Sequence, residues 1–259
     1  MNVQPVGVHL RQWRQRRRMS QLDLASEAEI SARHLSFVET GRATPSREMI
    51  LHLAEQLAIP MRERNVLLVA AGYAPIFPER PLSDPALGPI REAIDKVLEG
   101  LKPYPAFALD RNWNIVASNR ALQPMYAGVD PKLLEPPVNA MRLSLHPNGL
   151  APRIENLAEW RGHLLHRLRA QVELTADPAL VDLLKEISAY PAPAPPHVPS
   201  PDPIAIPFRL RVRGGVLSFF STTMVFGTPV DVTLSELAVE SFFPADAATV
   251  ELVKQLEAA

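Results

Sequence analysis

The chain has 259 residues, enough for one large domain or two modest ones, and its 47% hydrophobic content argues against global disorder. It contains no cysteine, which excludes disulfides and thiolate metal sites. The net charge is only −1, but residues 1–75 carry ten arginines against seven acids, a net of +3, which leaves −4 on the rest. A basic head on an acidic body suits an end that meets phosphate.

Along the chain, the opening NVQPVGVHLRQWRQ has no apolar h-region, so no secretory signal is expected. No apolar run reaches membrane-spanning length either, and a cytoplasmic setting without membrane contact is expected. A first helix is predicted over Gly7–Arg17, with Leu10 and Trp13 inward. Ser20 and Asp23 have capping-box spacing ahead of a second helix, Gln21–Ala28, whose apolar positions are Leu22, Leu24, Ala25 and Ala28. Ser31 caps a third helix, Ala32–Thr40, with Leu35 and Val38 toward the core and Gly41 as its left-handed stop. Thr44 or Ser46 caps a fourth, with Pro45 in its first turn and an apolar stripe of Ile50, Leu53, Ala54 and Leu57. A fifth runs over Met61–Ala71.

Pro75, Pro78, Pro81, Pro85 and Pro89 then prevent helix and favour an extended, fairly stiff connector. The expected division is 1–74, a linker over 75–89, and 90–259. Within the last part, Ile90–Leu101 reads as helix. Ala106–Leu109 and Asn114–Ala117 read as strands about the turn Asp110–Arg111–Asn112, and helical pattern follows over Asn119–Tyr126, Ile154–Gln171 and Pro178–Ala189. Residues 191–207 hold eight prolines and read as an exposed loop. Ile204, Ile206, Phe208, Leu210 and Val212 alternate with period two, which predicts a strand with Pro207 at an edge or bulge. Gly214–Gly215 and Gly227–Thr228–Pro229 turn the chain into two further strands, Val216–Phe226 and Val230–Val239. The sum is a five-stranded antiparallel sheet with helices on one face, an α+β domain behind an all-α head of five helices.

Residues 20–41, SQLDLASEAEISARHLSFVETG, have the layout of a helix-turn-helix: a short amphipathic helix, a turn of about three residues, and a helix that opens on polar side chains. Leu10, Arg14, Ser20–Gln21, Leu24–Ala25, Ile30–Ser31, Leu35, Glu39, Gly41 and Pro45 resemble the Xre or lambda-repressor-like helix-turn-helix family over residues 7–72. The resemblance implies double-stranded DNA as partner. It implies that Gln21 grips a phosphate and can touch a base edge, that base readers lie among Ala32, Arg33, Ser36 and Phe37, with Ser31 beside them in the DNA-binding set, and that Arg42, Thr44 and Ser46 hold phosphate. Arg33 is the leading base reader, since a guanidinium can donate two parallel bonds to guanine. Arg14 and Glu39 match a family pair that forms a buried salt bridge and serves as a strut. Glu29 stands where the family carries glycine; a left-handed backbone there costs a non-glycine residue about 1 kcal/mol, so either the turn differs slightly or Glu29 points away.

After residue 90, PAFALDRNWNIVASNRA, VNAMRLSLHPNG, the helix around Trp160–Arg169 and the final strands resemble the ligand-binding domain of MmyB-like regulators, which has a PAS-like fold. This implies a transcription regulator with a small, apolar or fatty-acid-like effector. Candidate pocket liners are Phe107, Leu109, Trp113, Phe208, Leu210, Phe219, Phe220, Met224 and Phe226; candidate polar anchors are Asn139, Arg142, His146 and Arg153. Neither the 191–207 insert nor the 240–259 tail matches a family feature. His163 and His166 lie three apart on a helix, but no HExxH, GxGxxG, Walker loop or GxSxG accompanies them. No enzyme activity, metal or cofactor is therefore expected. The expectation is a homodimeric repressor, and the alternative is a second domain that only dimerises or docks a protein partner.

Overall fold

The computed structural model describes residues 4–193 and 205–257. It divides into two compact units, one holding the chain up to Glu79 with Glu173–Ala176 and Val230–Val232, the other the remainder.

Five helices build the first unit: α1 (Val6–Arg16), α2 (Gln21–Glu27), α3 (Ala32–Glu39), α4 (Arg47–Gln56) and α5 (Met61–Ala70). The starts of α2, α3 and α4 are set by side chains. Ser20 Oγ accepts from Asp23 N while Asp23 returns the bond, and Ser31 and Ser46 accept from His34 N and Met49 N. Such caps are each worth about 1 kcal/mol. Pro45 lies outside α4, so Ser46 and not Thr44 is its cap. Leu10, Leu24, Leu35, Ile50, Leu53 and Leu67 close the core, each contributing roughly 1.5–3 kcal/mol by burial. Leu22 does not join them: it is 70% exposed, because its position on α2 points away from α3 and α4. Gly7 permits close approach of α1 to the end of α3, where a β-carbon would stand 2.1 Å from the Val38 carbonyl oxygen.

The connector is tied down at both ends. Asn65 on α5 accepts from Ile76 N and Phe77 N and donates to Phe77 O, while Arg91 donates to the carbonyls of Leu82 and Asp84.

The second unit is a five-stranded antiparallel sheet: β1 (Ala106–Leu109), β2 (Ile115–Ser118), β3 (Phe208–Val212), β4 (Gly215–Val225) and β5 (Ala238–Pro244), in the order β2-β1-β5-β4-β3. Its helices are α6 (Gly88–Gly100), α7 (Ala140–Leu145), α8 (Leu157–Thr175), α9 (Pro178–Ala189), the single turn α10 (Val232–Ser235) and α11 (Ala247–Glu257), except that the end of α8 from Glu173 and Val232 of α10 belong to the first unit. Helix α6 was expected to share one face with the others but covers the opposite one. Ile94 and Leu98 pack on Ala106, Ala108 and Val239, the small side chains of that face. The other face, with Phe107, Leu109 and Phe242, packs under α8, α7 and α9.

Two strand expectations are corrected. The strand ahead of Val212 begins only at Phe208, since Pro207 offers no N–H to the ladder; Ile204 lies outside the described residues, as does most of the proline-rich 191–207 stretch. The last strand runs over Ala238–Pro244, not Val230–Val239, because 232–235 coil into α10; the 240–259 tail then completes the sheet and adds α11.

Candidate functional site

Two sites emerge, one in each unit. In the first, α2 and α3 are joined by a turn in which Glu29 adopts φ 52°, a left-handed backbone, with its side chain in solvent. The face of α3 opposite Leu35 and Val38 is open: Arg33 and His34 are exposed, and Ala32, Ser36 and Phe37 half-buried. Arg33 and Arg42 both stack on Phe37, at 5.4 and 6.0 Å from its centroid, and neither makes an ion pair among the described residues. Phe37 therefore acts as a platform that presents two guanidinium groups. Thr44 and Ser46 are exposed beyond it.

Behind this face lies a dry charge network. Arg14 Nε and Nη2 donate to the two Glu39 oxygens at 2.7 and 2.9 Å, with side chains 9% and 1% exposed. Arg14 Nη1 donates to Met19 O, and Gln21 Nε2 donates to Glu39 Oε2 at 2.7 Å. The Glu39 hydrogen bond raises the Arg14 pKa further, so the guanidinium stays charged. Gln21 is thus held from behind, leaving its oxygen and second N–H without a partner among the described residues. Arg17 donates to the carbonyls of Leu57 and Ala58, closing the end of α4, so two of the five clustered arginines are structural.

The second site is a cavity of about 60 Å³ between the sheet and α7–α8, several times the ~10–15 Å³ that one water needs. Phe107, Leu109, Trp113 and Phe208 line it, as expected from sequence. Leu210, Phe219, Phe220, Met224 and Phe226 do not. Phe219 is fully buried under α11 and elsewhere in the core, whereas Phe220 and Met224 are each 40% exposed on the other side of β4.

The four polar anchor candidates are also absent from the lining, each engaged elsewhere. Asn139 caps α7 and donates to Asn112 O; Arg142 pairs with Glu186 through two bonds of 2.8 Å. His146 accepts from Asn148 N and packs edge-on against Tyr190, and Arg153 donates to Met125 O.

Sequence reasoning missed Trp160, Leu164, Leu143, Ser144, Tyr126, Phe242 and Glu240, all lining residues. The Trp160–Leu164–Leu168 stripe was legible at helical spacing, but which stripe faces a gap was not. Glu240 and Phe242 were hidden by the misplaced last strand. Trp160 Nε1 donates to Ser144 Oγ at 3.0 Å, and burial pushes the Tyr126 hydroxyl up to about 12, so it remains protonated.

Among the described residues, the lining holds one carboxylate. Glu240, 3% exposed, accepts from Arg167 Nη1 and Nη2 at 2.6 and 3.0 Å. Arg167 lies 4.9 Å over the Trp113 ring, and Trp113 Nε1 donates to Gln171. Trp113 has φ 66°, a strained backbone for an aromatic residue, which these two contacts hold in place. His163, beside Trp160, is kept neutral by burial and then by the nearby Arg167. No group of three or more His, Asp or Glu poised for a metal occurs among the described residues, and no helix there is long and apolar enough to cross a membrane.

No curated protein matches the chain. Residues 5–67 match a helix-turn-helix domain family. Residues 90–256 match the MmyB-like transcription regulator ligand binding domain, so the open α3 face and the cavity fall in the two parts such a regulator needs. This chain belongs to the MmyB-like transcription regulator family, as a DNA-binding regulator with a helix-turn-helix head and a ligand-binding body.

Proposed function

We propose that the protein is a homodimeric, cytoplasmic repressor without enzyme activity, whose second domain senses a small apolar molecule, the fatty-acid-like class included. The observation that carries the sensing is the cavity of about 60 Å³ walled almost entirely by aromatic and aliphatic side chains. A domain that only dimerised or docked a protein would fill that space, since each void forfeits packing contacts. Ligand and DNA are linked if the ligand binds one arrangement of the DNA-binding heads more tightly than another.

On DNA, Arg33 reads a guanine edge from α3, Phe37 meets a thymine methyl, and Gln21, Arg42, Thr44 and Ser46 hold the backbone. The exposure of Arg33, which has no ion pair among the described residues, supports this reading. Two-fold symmetry puts the half-sites about one helical turn apart.

The test has two arms. Selection from random duplexes should yield a near-palindrome, and Arg33→Ala should relax preference at one base pair per half-site, by roughly 1–3 kcal/mol, while non-specific binding persists. Equal losses on all sequences would remove Arg33 from base reading. Mass spectrometry of organic extracts from the purified protein should detect a bound apolar molecule. An empty extract, with no thermal shift across apolar metabolites, would remove the sensing role.

A further inference from the structure

Glu240 is a carboxylate set in an apolar wall. On β5 it lies in register between Phe107 of β1 and Thr223 of β4, so these three share the sheet face that α8 covers. Arg167 of α8 donates one bond to each of its oxygens, and Arg167 also donates to Thr223 Oγ1. A carboxylate offers about four acceptor positions. Arg167 fills two, and no other donor reaches Glu240 among the described residues. Burial this deep leaves the remaining acceptor capacity to be met only by something that enters the cavity.

We infer that the cavity selects an uncharged apolar ligand that bears an O–H or N–H group, such as an alcohol or a primary amide, and that Glu240 receives this donor. The inference rests on the sensing role proposed above and narrows it, excluding a fatty acid in its anionic form. The Glu240–Arg167 pair is neutral as a unit. An anionic head would either lie beside the Glu240 charge or take Arg167 away and strand a buried carboxylate. A cationic head would meet Arg167 at the same spot. The Ser144 hydroxyl accepts from Trp160, keeps its own proton to donate, and lies on the same cavity lining.

The test uses the full chain and a matched eight-carbon series: 1-octanol, octanamide, methyl octanoate, octanoate and octylamine at pH 7. Binding is read by calorimetry and by the fluorescence of Trp113 and Trp160, which both line the cavity. Octanol and octanamide should bind about tenfold or more tightly than either charged probe and than the ester, which lacks a donor. Glu240→Gln should shrink the preference for octanol over methyl octanoate, because an amide is a weaker acceptor than a carboxylate. The wild-type series decides the matter even if that variant folds poorly. Octanoate or octylamine binding as well as octanol, or the ester matching it, would overturn the donor selection and leave the apolar-sensing reading standing. Silence of all five probes would overturn both.

Discussion

Glu39→Ala removes the acceptor of three hydrogen bonds, two from Arg14 and one from Gln21, at a site where the Glu39 side chain is 1% exposed. The Arg14 guanidinium would keep only its bond to Met19 O and could not reach water without opening the contact between α1 and α3. Breaking one partner out of a buried pair costs about 3–5 kcal/mol, against a total stability of roughly 5–15 kcal/mol. In a unit of about 70 residues, each 1 kcal/mol moves the melting temperature by about 4–8 °C, so a drop of about 12–40 °C is expected for the head. Hydrogen exchange read peptide by peptide is the suitable assay. Protection should collapse across α1–α5, sequence-specific DNA binding should vanish, and β1 and β2 should keep their protection. The double variant Arg14→Met with Glu39→Leu removes both charges and should recover most of the loss. A loss below about 1 kcal/mol, the range of exposed pairs, would refute the claim that this network is dry. Failure of the double variant to recover would locate the cost in packing and not in charge.

Gly7→Ala should destabilise the head by at least the ~1–3 kcal/mol of overpacking, because the new methyl meets a backbone carbonyl that cannot rotate away; a neutral effect in urea titration would contradict the α1–α3 contact. Leu164→Phe should fill part of the cavity and weaken every apolar probe while leaving DNA affinity of the unliganded protein intact; unchanged probe binding would place the ligand elsewhere. His163 has its folded pKa lowered by burial, so the unfolded chain takes up its proton first on acidification. Its contribution is present above the unfolded value of about 6.5 and is lost as pH falls from there through the folded value. His163→Gln should therefore flatten the decline in stability between pH 7 and pH 5, measured by denaturant titration. Glu186, lowered chiefly by its hydrogen bond from Arg142, acts in the same direction but only at pH near and below about 4.3.

Local chemistry made the head readable from sequence. Ser20, Ser31 and Ser46 cap their helices through bonds spanning three residues, and the stripes ending in Leu35 and Leu53 follow from helical period alone. The Arg14–Glu39 strut likewise follows from the motif, whereas the motif leaves the turn at Glu29 open and the φ of 52° decides it. In the second domain, the pattern of apolar runs bounded by turn residues located β1, β2 and β4 within a residue or so. It could not place β5, because Val230–Val239 is apolar enough for a strand, and only packing decides that 232–235 coil and that pairing starts at Ala238. That single shift hid Glu240 and Phe242, two walls of the cavity. Nor could alternation tell which aromatic residue meets a gap: Phe208 and Phe219 face each other across β3 and β4 and are equally apolar, yet only Phe208 lines the cavity. Asn139, Arg142 and Arg153 looked free to anchor a ligand because their partners, Asn112, Glu186 and Met125, lie 27 to 44 residues away. Short-range hydrogen bonds and periodicity are properties of a segment and can be read from it. A void, and the buried charge beside it, belong to surfaces that distant segments bring together only on folding.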